Sequence, residues 1–145
     1  MEPEHGYTVS TVRRTRRRKE PREIRDPKAA YDLVRPLVKD ADRERFYAVY
    51  LNTRNHILAV ELVSMGSVNA SIVHPREVFK RAIALSAASI LVAHNHPSGD
   101  PAPSQEDVEL TRRLREAGEL LGIPLIDHVI VGEREYRSLK EDGQL

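Results

Sequence analysis

The stretch Ser89-Ile-Leu-Val-Ala-His94-Asn-His96-Pro-Ser-Gly-Asp100-Pro-Ala-Pro-Ser104-Gln-Glu-Asp107 decides how this chain folds. Its first five residues are nearly all apolar, as expected of a strand covered on both faces. His94 to Pro103 then forms a loop with three prolines and a glycine. Ser104 has the character of a helix N-cap with Asp107 at the N3 position. The helix that follows runs to about Leu121, where Gly122 and Pro124 stop it. A buried strand therefore feeds a helix through a rigid polar loop.

Working outward from that unit, Leu125 to Val131 is a second apolar strand, followed by a shorter, more polar tail from Glu133 to Leu145. Upstream, Pro75 opens a helix on which Val78, Ala82, Ile83 and Ser86 share one face. Val68 to Val73 is expected to be a strand. Phe46 to Leu51 and Ile57 to Val63 make a hairpin across the turn Asn52–Asn55. Order is expected to begin at Asp26-Pro27, an N-cap with proline at the first helical position. Ala30, Leu33, Val34, Leu37 and Val38 form the apolar stripe of this helix, and Pro36 inside it predicts a kink or an early end. There is no internal repeat. These elements describe a single α/β domain over residues 26–145, a mixed β-sheet flanked by helices.

The chain has 145 residues, the size of one ordinary domain with a real core. With 40% apolar and 31% charged residues, its composition argues against wholesale disorder. The absence of cysteine excludes disulfides, thiolate metal sites and cysteine nucleophiles. Two Phe, five Tyr and no Trp leave little aromatic surface for stacking single-stranded bases. No apolar run approaches the ~20 residues of a membrane span, and no signal peptide opens the chain, so a cytoplasmic protein without membrane contact is expected. The net charge of +1 conceals a basic segment: Arg13 to Arg25 holds eight Lys/Arg against Glu20 and Glu23, a local +6, which leaves −5 for the remainder. Residues 1–25 are thus a basic, flexible arm. It is either a solvated tail or a contact for nucleic acid phosphates.

The chemistry centres on three residues. If the strand continues to Pro97, His94 and His96 are two apart and point to the same face. A His-x-His pair alone is weak, because imidazole also serves as an ordinary hydrogen-bonding group. Asp107 adds to it. As the N3 residue it can simply complete a capping box, but it also leads a stripe of Leu110, Leu114, Ala117 and Leu121. An ionised carboxylate aimed at a core is costly unless it meets a cation or hydrogen-bond donors. Two imidazoles and a carboxylate can hold a divalent metal and leave a fourth position open, the pattern of a catalytic zinc site. Fe²⁺, Co²⁺, Ni²⁺ and Mn²⁺ remain compatible with such ligands. Zinc would lower the pKa of bound water from about 16 to about 7.

His94-Asn-His-Pro97, six residues and then Ser104-Gln-Glu-Asp107 resembles the His-x-His-Pro-x₆-Ser-x-x-Asp signature of the JAMM (JAB/MPN) metalloproteases. Val73-His-Pro-Arg-Glu-Val-Phe-Lys-Arg-Ala82, His94-Asn-His-Pro-Ser-Gly-Asp100 and Asp127-His-Val-Ile130 resemble the RadC family in particular. The likeness covers roughly residues 28 to 145. It implies a JAMM/MPN domain with an architecture of the cytidine-deaminase-like type, and one zinc ion per chain held by His94, His96 and Asp107. It assigns Ser104 to stabilising the oxyanion. The proton shuttle is a Glu after the first helix at the start of a strand, the place of Glu44, with Glu61 in the second strand as competitor. Longer RadC-like proteins carry a helix-hairpin-helix region, and a short form without it is expected here.

The resemblance implies a zinc-dependent peptidase or isopeptidase that acts on a peptide or an isopeptide-linked protein. The alternative is a non-enzymatic, DNA-repair-associated module that binds nucleic acid or protein around a structural metal. A cupin-like oxygenase also uses His-x-His, but the helix opening at Ser104 rules against a β-barrel. Among the other polar residues, His128 either orients a ligand or is a satisfied structural histidine. His74 caps the second helix, while His5 and His56 lie at the surface. Asn95 points to the face opposite the ligands and makes a structural hydrogen bond. Gly66 permits a turn or a close backbone approach.

Overall fold

Asp26 starts the first helix, α1 (Pro27–Val38), by accepting the Ala29 N–H on its carboxylate at 2.8 Å, with Pro27 at the first position. This computed structural model describes residues 22–66 and 72–145. Pro36 does not end the helix early. It lies exposed in the last turn, where only one intrahelical bond is forgone, and the helix runs to Val38. Ala30, Leu33, Val34 and Val38 are buried, whereas Leu37 sits at the edge of the stripe and stays 41% exposed. Order starts before Asp26: Ile24 is buried, its N–H donates to Asn55 O at 2.9 Å, and the Ile57 N–H donates to Arg22 O at 2.8 Å.

The hairpin forms as β1 (Arg45–Leu51) and β2 (Ile57–Met65), antiparallel. After α2 (Pro75–Ala84) come β3 (Ser89–Asn95), α3 (Gln105–Leu121), β4 (Leu125–Val131) and β5 (Tyr136–Ser138). The sheet order is β2-β1-β3-β4-β5, with β3 and β4 parallel and the other neighbours antiparallel. It is the mixed sheet expected of the α/β class. The tail beyond Glu133 contributes β5 and the fully buried Leu139. The strand expected at Val68–Val73 falls largely outside the described residues. Ile72 and Val73, its described end, lie in a turn and a bend.

Strand alternation sorts the core into two layers. Tyr47, Val49, Leu51, Leu91 and Ala93 face α1. Phe46, Ala48, Tyr50, Ile90 and Val92 face α2 and α3. Because both faces are covered, every residue of β3 is buried. His94 emerges on the second face, beneath α3.

Helix α2 buries Val78, Phe79 and Ala82, while Ile83 is 58% exposed and Ser86 is also exposed. The apolar face is therefore rotated from the expected one toward the Phe79 ring. Helix α3 buries Asp107, Leu110, Thr111, Leu114 and Gly118. Ala117 is only partly buried and Leu121 is 46% exposed. The reason is a close approach: a Cβ on Gly118 would lie 2.5 Å from Ile123 O, so this glycine faces the chain entering β4. Burial of Leu110 and Leu114 contributes about 1.5–3 kcal/mol each, anchoring the helix that carries Asp107. Among the described residues no helix is long and apolar enough to cross a membrane.

Candidate metal centre

The last residues of β3 and the first turn of α3 meet at one point. His94 and His96 come from the strand end, and Asp107 from the helix N-terminus. Asp107 has both of the roles that its position allows. It completes a capping box, with Ser104 Oγ accepting the Asp107 N–H at 3.0 Å and Asp107 Oδ2 accepting the Ser104 N–H at 2.9 Å. The same carboxylate lies 3.1 Å from His94 Nε2 through Oδ1 and 3.0 Å from His96 Nε2 through Oδ2. Capping holds the carboxylate in place, and the histidines sit where its remaining lone pairs point.

Burial alone would push the Asp107 carboxyl up, but the hydrogen bonds from His96 and the Ser104 N–H hold it below the ordinary carboxylate range. Its hydrogen bond holds His96 above the usual histidine value, against the effect of burial. His128 is the opposite case: complete burial, then the neighbouring His94, drive its pKa down and keep it neutral.

His94 shows what this arrangement is suited to. Its Nε2 is buried and makes no hydrogen bond among the described residues, since the contact with Asp107 Oδ1, though short, is not aligned for one. The three side chains offer two nitrogens and a carboxylate oxygen within 4.8 Å of one another, and they could hold a metal ion. A tetrahedral ion with bonds of about 2.0–2.1 Å has ligand–ligand edges of about 3.3 Å. The His94 Nε2–Asp107 Oδ1 contact of 3.1 Å is already close to that spacing, while His96 Nε2 meets the other oxygen, Oδ2, at 3.0 Å. The His96 Nδ1–H donates to Asp100 O at 2.9 Å, which aims Nε2 inward.

Glu44 immediately precedes β1. Phe46 pairs with His94, so Glu44, two residues before it, lies at the same end of the sheet as His96. Its charge is one of those that raise the His96 pKa. The Glu44 carbonyl accepts the Gly66 N–H at 2.8 Å, and Gly66, at φ 108°, is a bend just past the end of β2. Among the described residues no atom would crowd a Cβ at Gly66. Glu61 is elsewhere: it pairs across from Ala48, and its carboxylate lies 3.2 Å from the Tyr50 hydroxyl, which donates to Val78 O at 2.8 Å.

Asn95 points away from the ligands and clamps the Glu44 segment. Its Oδ1 accepts the Arg45 N–H at 2.7 Å, and its Nδ2 donates to Arg43 O at 3.0 Å. His128 Nε2 lies 2.9 Å from His94 Nδ1, in a buried network that includes Thr111. His74 occupies the N-cap position of α2, but its side chain makes no capping bond. His56 is not a free surface residue, because its Nε2 lies 2.9 Å from Glu23. His5 and most of the basic run from Arg13 lie outside the described residues; within the described part, Arg25 pairs with Glu23 at 2.8 Å.

Two contributors were not legible as such. Thr111 lies four residues after Asp107, so helical spacing alone could have placed it on the same face. Gly132, just past β4, lets the histidine loop close: a Cβ there would stand 2.5 Å from Gly99 O. The His96 N–H donates to Val131 O at 3.1 Å, and the Glu133 N–H donates to Gly99 O at 3.1 Å.

Comparison with known proteins agrees with this geometry. The profile of the RadC-like JAB domain family matches residues 24–144. A UPF0758 protein of Methanosarcina mazei is 53% identical over 122 residues, covering 84% of this chain and 53% of that protein. One from Desulforudis audaxviator is 55% identical over 120 residues, covering 83% and 52%. One from Bacillus licheniformis is 53% identical over 122 residues, covering 84% and 54%. The chain thus spans about half the length of these curated relatives. On the extent of the profile match, the strand–loop–helix centre it includes and these identities, the chain belongs to the RadC-like JAB domain family.

Proposed function

We propose that this domain is a metal-dependent hydrolase of amide bonds, of the JAMM peptidase or isopeptidase type, with zinc as the metal. The observation that carries this is the buried His94 Nε2, which has no hydrogen bond and faces a carboxylate that has a second imidazole on its other oxygen. A protein without a cation at that point gains nothing from burying such an atom. Zinc held by His94, His96 and Asp107 would supply a Lewis acid that polarises a carbonyl and acidifies water.

The chain's own residues supply the remaining roles. Glu44 takes a proton from the attacking water as the carbon–oxygen bond forms, and returns it to the leaving nitrogen as the carbon–nitrogen bond breaks. Its charge acts on His96, which supports this over Glu61, across from Ala48 in the second strand. Ser104 Oγ already accepts the Asp107 N–H, so its own O–H is the donor it can offer to the carbonyl oxygen as charge develops. The substrate class is a peptide or an isopeptide-linked protein.

The test is elemental analysis of the purified protein beside His94→Ala and Asp107→Ala, followed by peptide and isopeptide hydrolysis with Glu44→Gln. Near one zinc per chain is expected, lost in both ligand variants, with Glu44→Gln retaining metal and losing turnover. Absence of bound metal and of uptake on titration would overturn the proposal. Undiminished turnover in Glu44→Gln would remove that residue from the chemistry.

A further inference from the structure

We propose that Thr111 and His128 are positioning residues that hold His94 in the one tautomer able to ligate a metal through Nε2. The inference rests on the metal-site part of the function proposed above and extends it to residues that touch neither metal nor substrate.

The direction of the hydrogen bonds follows from counting hydrogens along the network. The Thr111 O–H donates to the Asp107 backbone carbonyl at 2.7 Å. A hydroxyl has one hydrogen, so at its 2.6 Å contact with His128 Nδ1 the Thr111 oxygen must accept. His128 therefore carries its hydrogen on Nδ1. Fully buried, with no carboxylate on either ring nitrogen, it is neutral, so its Nε2 is an acceptor. His94 Nδ1, 2.9 Å away, must donate to it. That leaves His94 Nε2 as a bare lone pair.

The opposite direction fails at both ends. If Thr111 donated to His128, its oxygen and the Asp107 carbonyl would face each other as two acceptors at 2.7 Å. His94 Nε2 would then carry a hydrogen with Asp107 Oδ1 only 3.1 Å away, yet no aligned bond is made there. In the assigned direction, the lone pairs of His94 Nε2 and Asp107 Oδ1 converge on a point that only a cation can satisfy.

The network is closed and dry. It starts at the backbone of Asp107, crosses from α3 to β4 and β3, and ends facing the Asp107 carboxylate. His94, Thr111 and His128 have no exposure, and Asp107 has 2%. Phe46 seals it, stacked on His94 with ring centroids 6.0 Å apart and edge-on to His128 at 5.7 Å. Water cannot substitute for a missing partner, so each member dictates the next. His96 needs no such device, because the carbonyl of Asp100 already fixes its Nδ1–H.

The first measurement is imidazole nitrogen NMR on the metal-free full chain at neutral pH. It should show His94 protonated on Nδ1 and bare on Nε2, with His128 protonated on Nδ1. His94 protonated on Nε2 would overturn the inference. The second is zinc and cobalt affinity. Thr111→Val, which keeps the shape and loses the hydroxyl, should bind roughly 10–100-fold more weakly, and Thr111→Ser should restore binding. Equal affinities for the two variants would overturn the inference, and if Thr111→Val does not fold, the wild-type tautomer decides. The outcomes separate the two proposals. Nδ1-protonated His94 in a chain that takes up no metal sinks the hydrolase and leaves the network standing. Tight metal binding with Nε2-protonated His94 does the reverse.

Discussion

Replacing Asn95 by Ala tests how the proposed base is held. Asn95 lies between two ligand histidines in sequence, yet its side chain works on the opposite side of the strand, bonding Arg45 N–H at 2.7 Å and Arg43 O at 3.0 Å. These two bonds help fasten residues 43–45, and with them Glu44, to the end of β3. A neutral hydrogen bond contributes about 0.5–1.5 kcal/mol, and a buried partner left without one costs about 1–3 kcal/mol. Arg43 is exposed, so water can replace the amide at its carbonyl, whereas the Arg45 N–H is half-buried and less easily resolvated. The lower figure for the first and the middle of the range for the second give a loss of about 2–3 kcal/mol. For a chain near this size that lowers the melting temperature by about 5–10 °C. Urea denaturation of the metal-free protein should show the midpoint falling at an unchanged slope. Zinc affinity should stay close to wild type, because no ligand is touched, while hydrolysis falls as Glu44 loses its register. A loss of stability below about 0.5 kcal/mol, or loss of metal with stability intact, would refute the clamp.

Three further outcomes follow from the same geometry. Asp107 holds His96 above its ordinary pKa near 6.5, so in the metal-free protein this stabilisation is full below that value and lost as pH rises through the folded value. Metal binding needs the bare imidazole and strengthens over the same interval; thermal melts from about pH 5.5 to about 8.5 should therefore slope in opposite directions with and without zinc, and parallel slopes would contradict this. Gly132→Ala sets a Cβ 2.5 Å from Gly99 O and 2.9 Å from Pro101; denaturation should show a loss of about 1–3 kcal/mol, with weaker zinc binding as the loop behind His96 shifts. Ser104→Ala removes the N-cap acceptor for Asp107 N–H and should cost about 1 kcal/mol, retain zinc and lower kcat; unchanged stability on denaturation would argue against the cap.

Much of this protein is legible without coordinates, and for a common reason. Capping at Asp26 and Ser104, the termination at Gly122 and the run of β-favouring residues in β1 are local, set by neighbours within a few residues. The candidate ligand set is local too, since His94 and His96 are two apart and Asp107 opens the next element. Apolar periodicity was less informative where elements pack unusually close. Gly118 rather than Ala117 faces the core because the chain at Ile123 passes within reach of its backbone, and Phe79 displaces Ile83 from the buried face of α2.

What tertiary structure alone decides is pairing between residues far apart in the chain. The spacing of residues leaves Glu44 and Glu61 as competing candidates, and only the β1–β3 pairing places Glu44 at the His96 end of the sheet, with Glu61 across from Ala48. The role of His128 stays open in the same way until β4 lies parallel to β3 and brings its ring to His94. A hydrogen bond depends on a few tenths of an ångström and on which atom carries the hydrogen. Local spacing along the chain defines neither, so the candidate ligands can be read from the sequence but the groups hydrogen-bonded to them cannot.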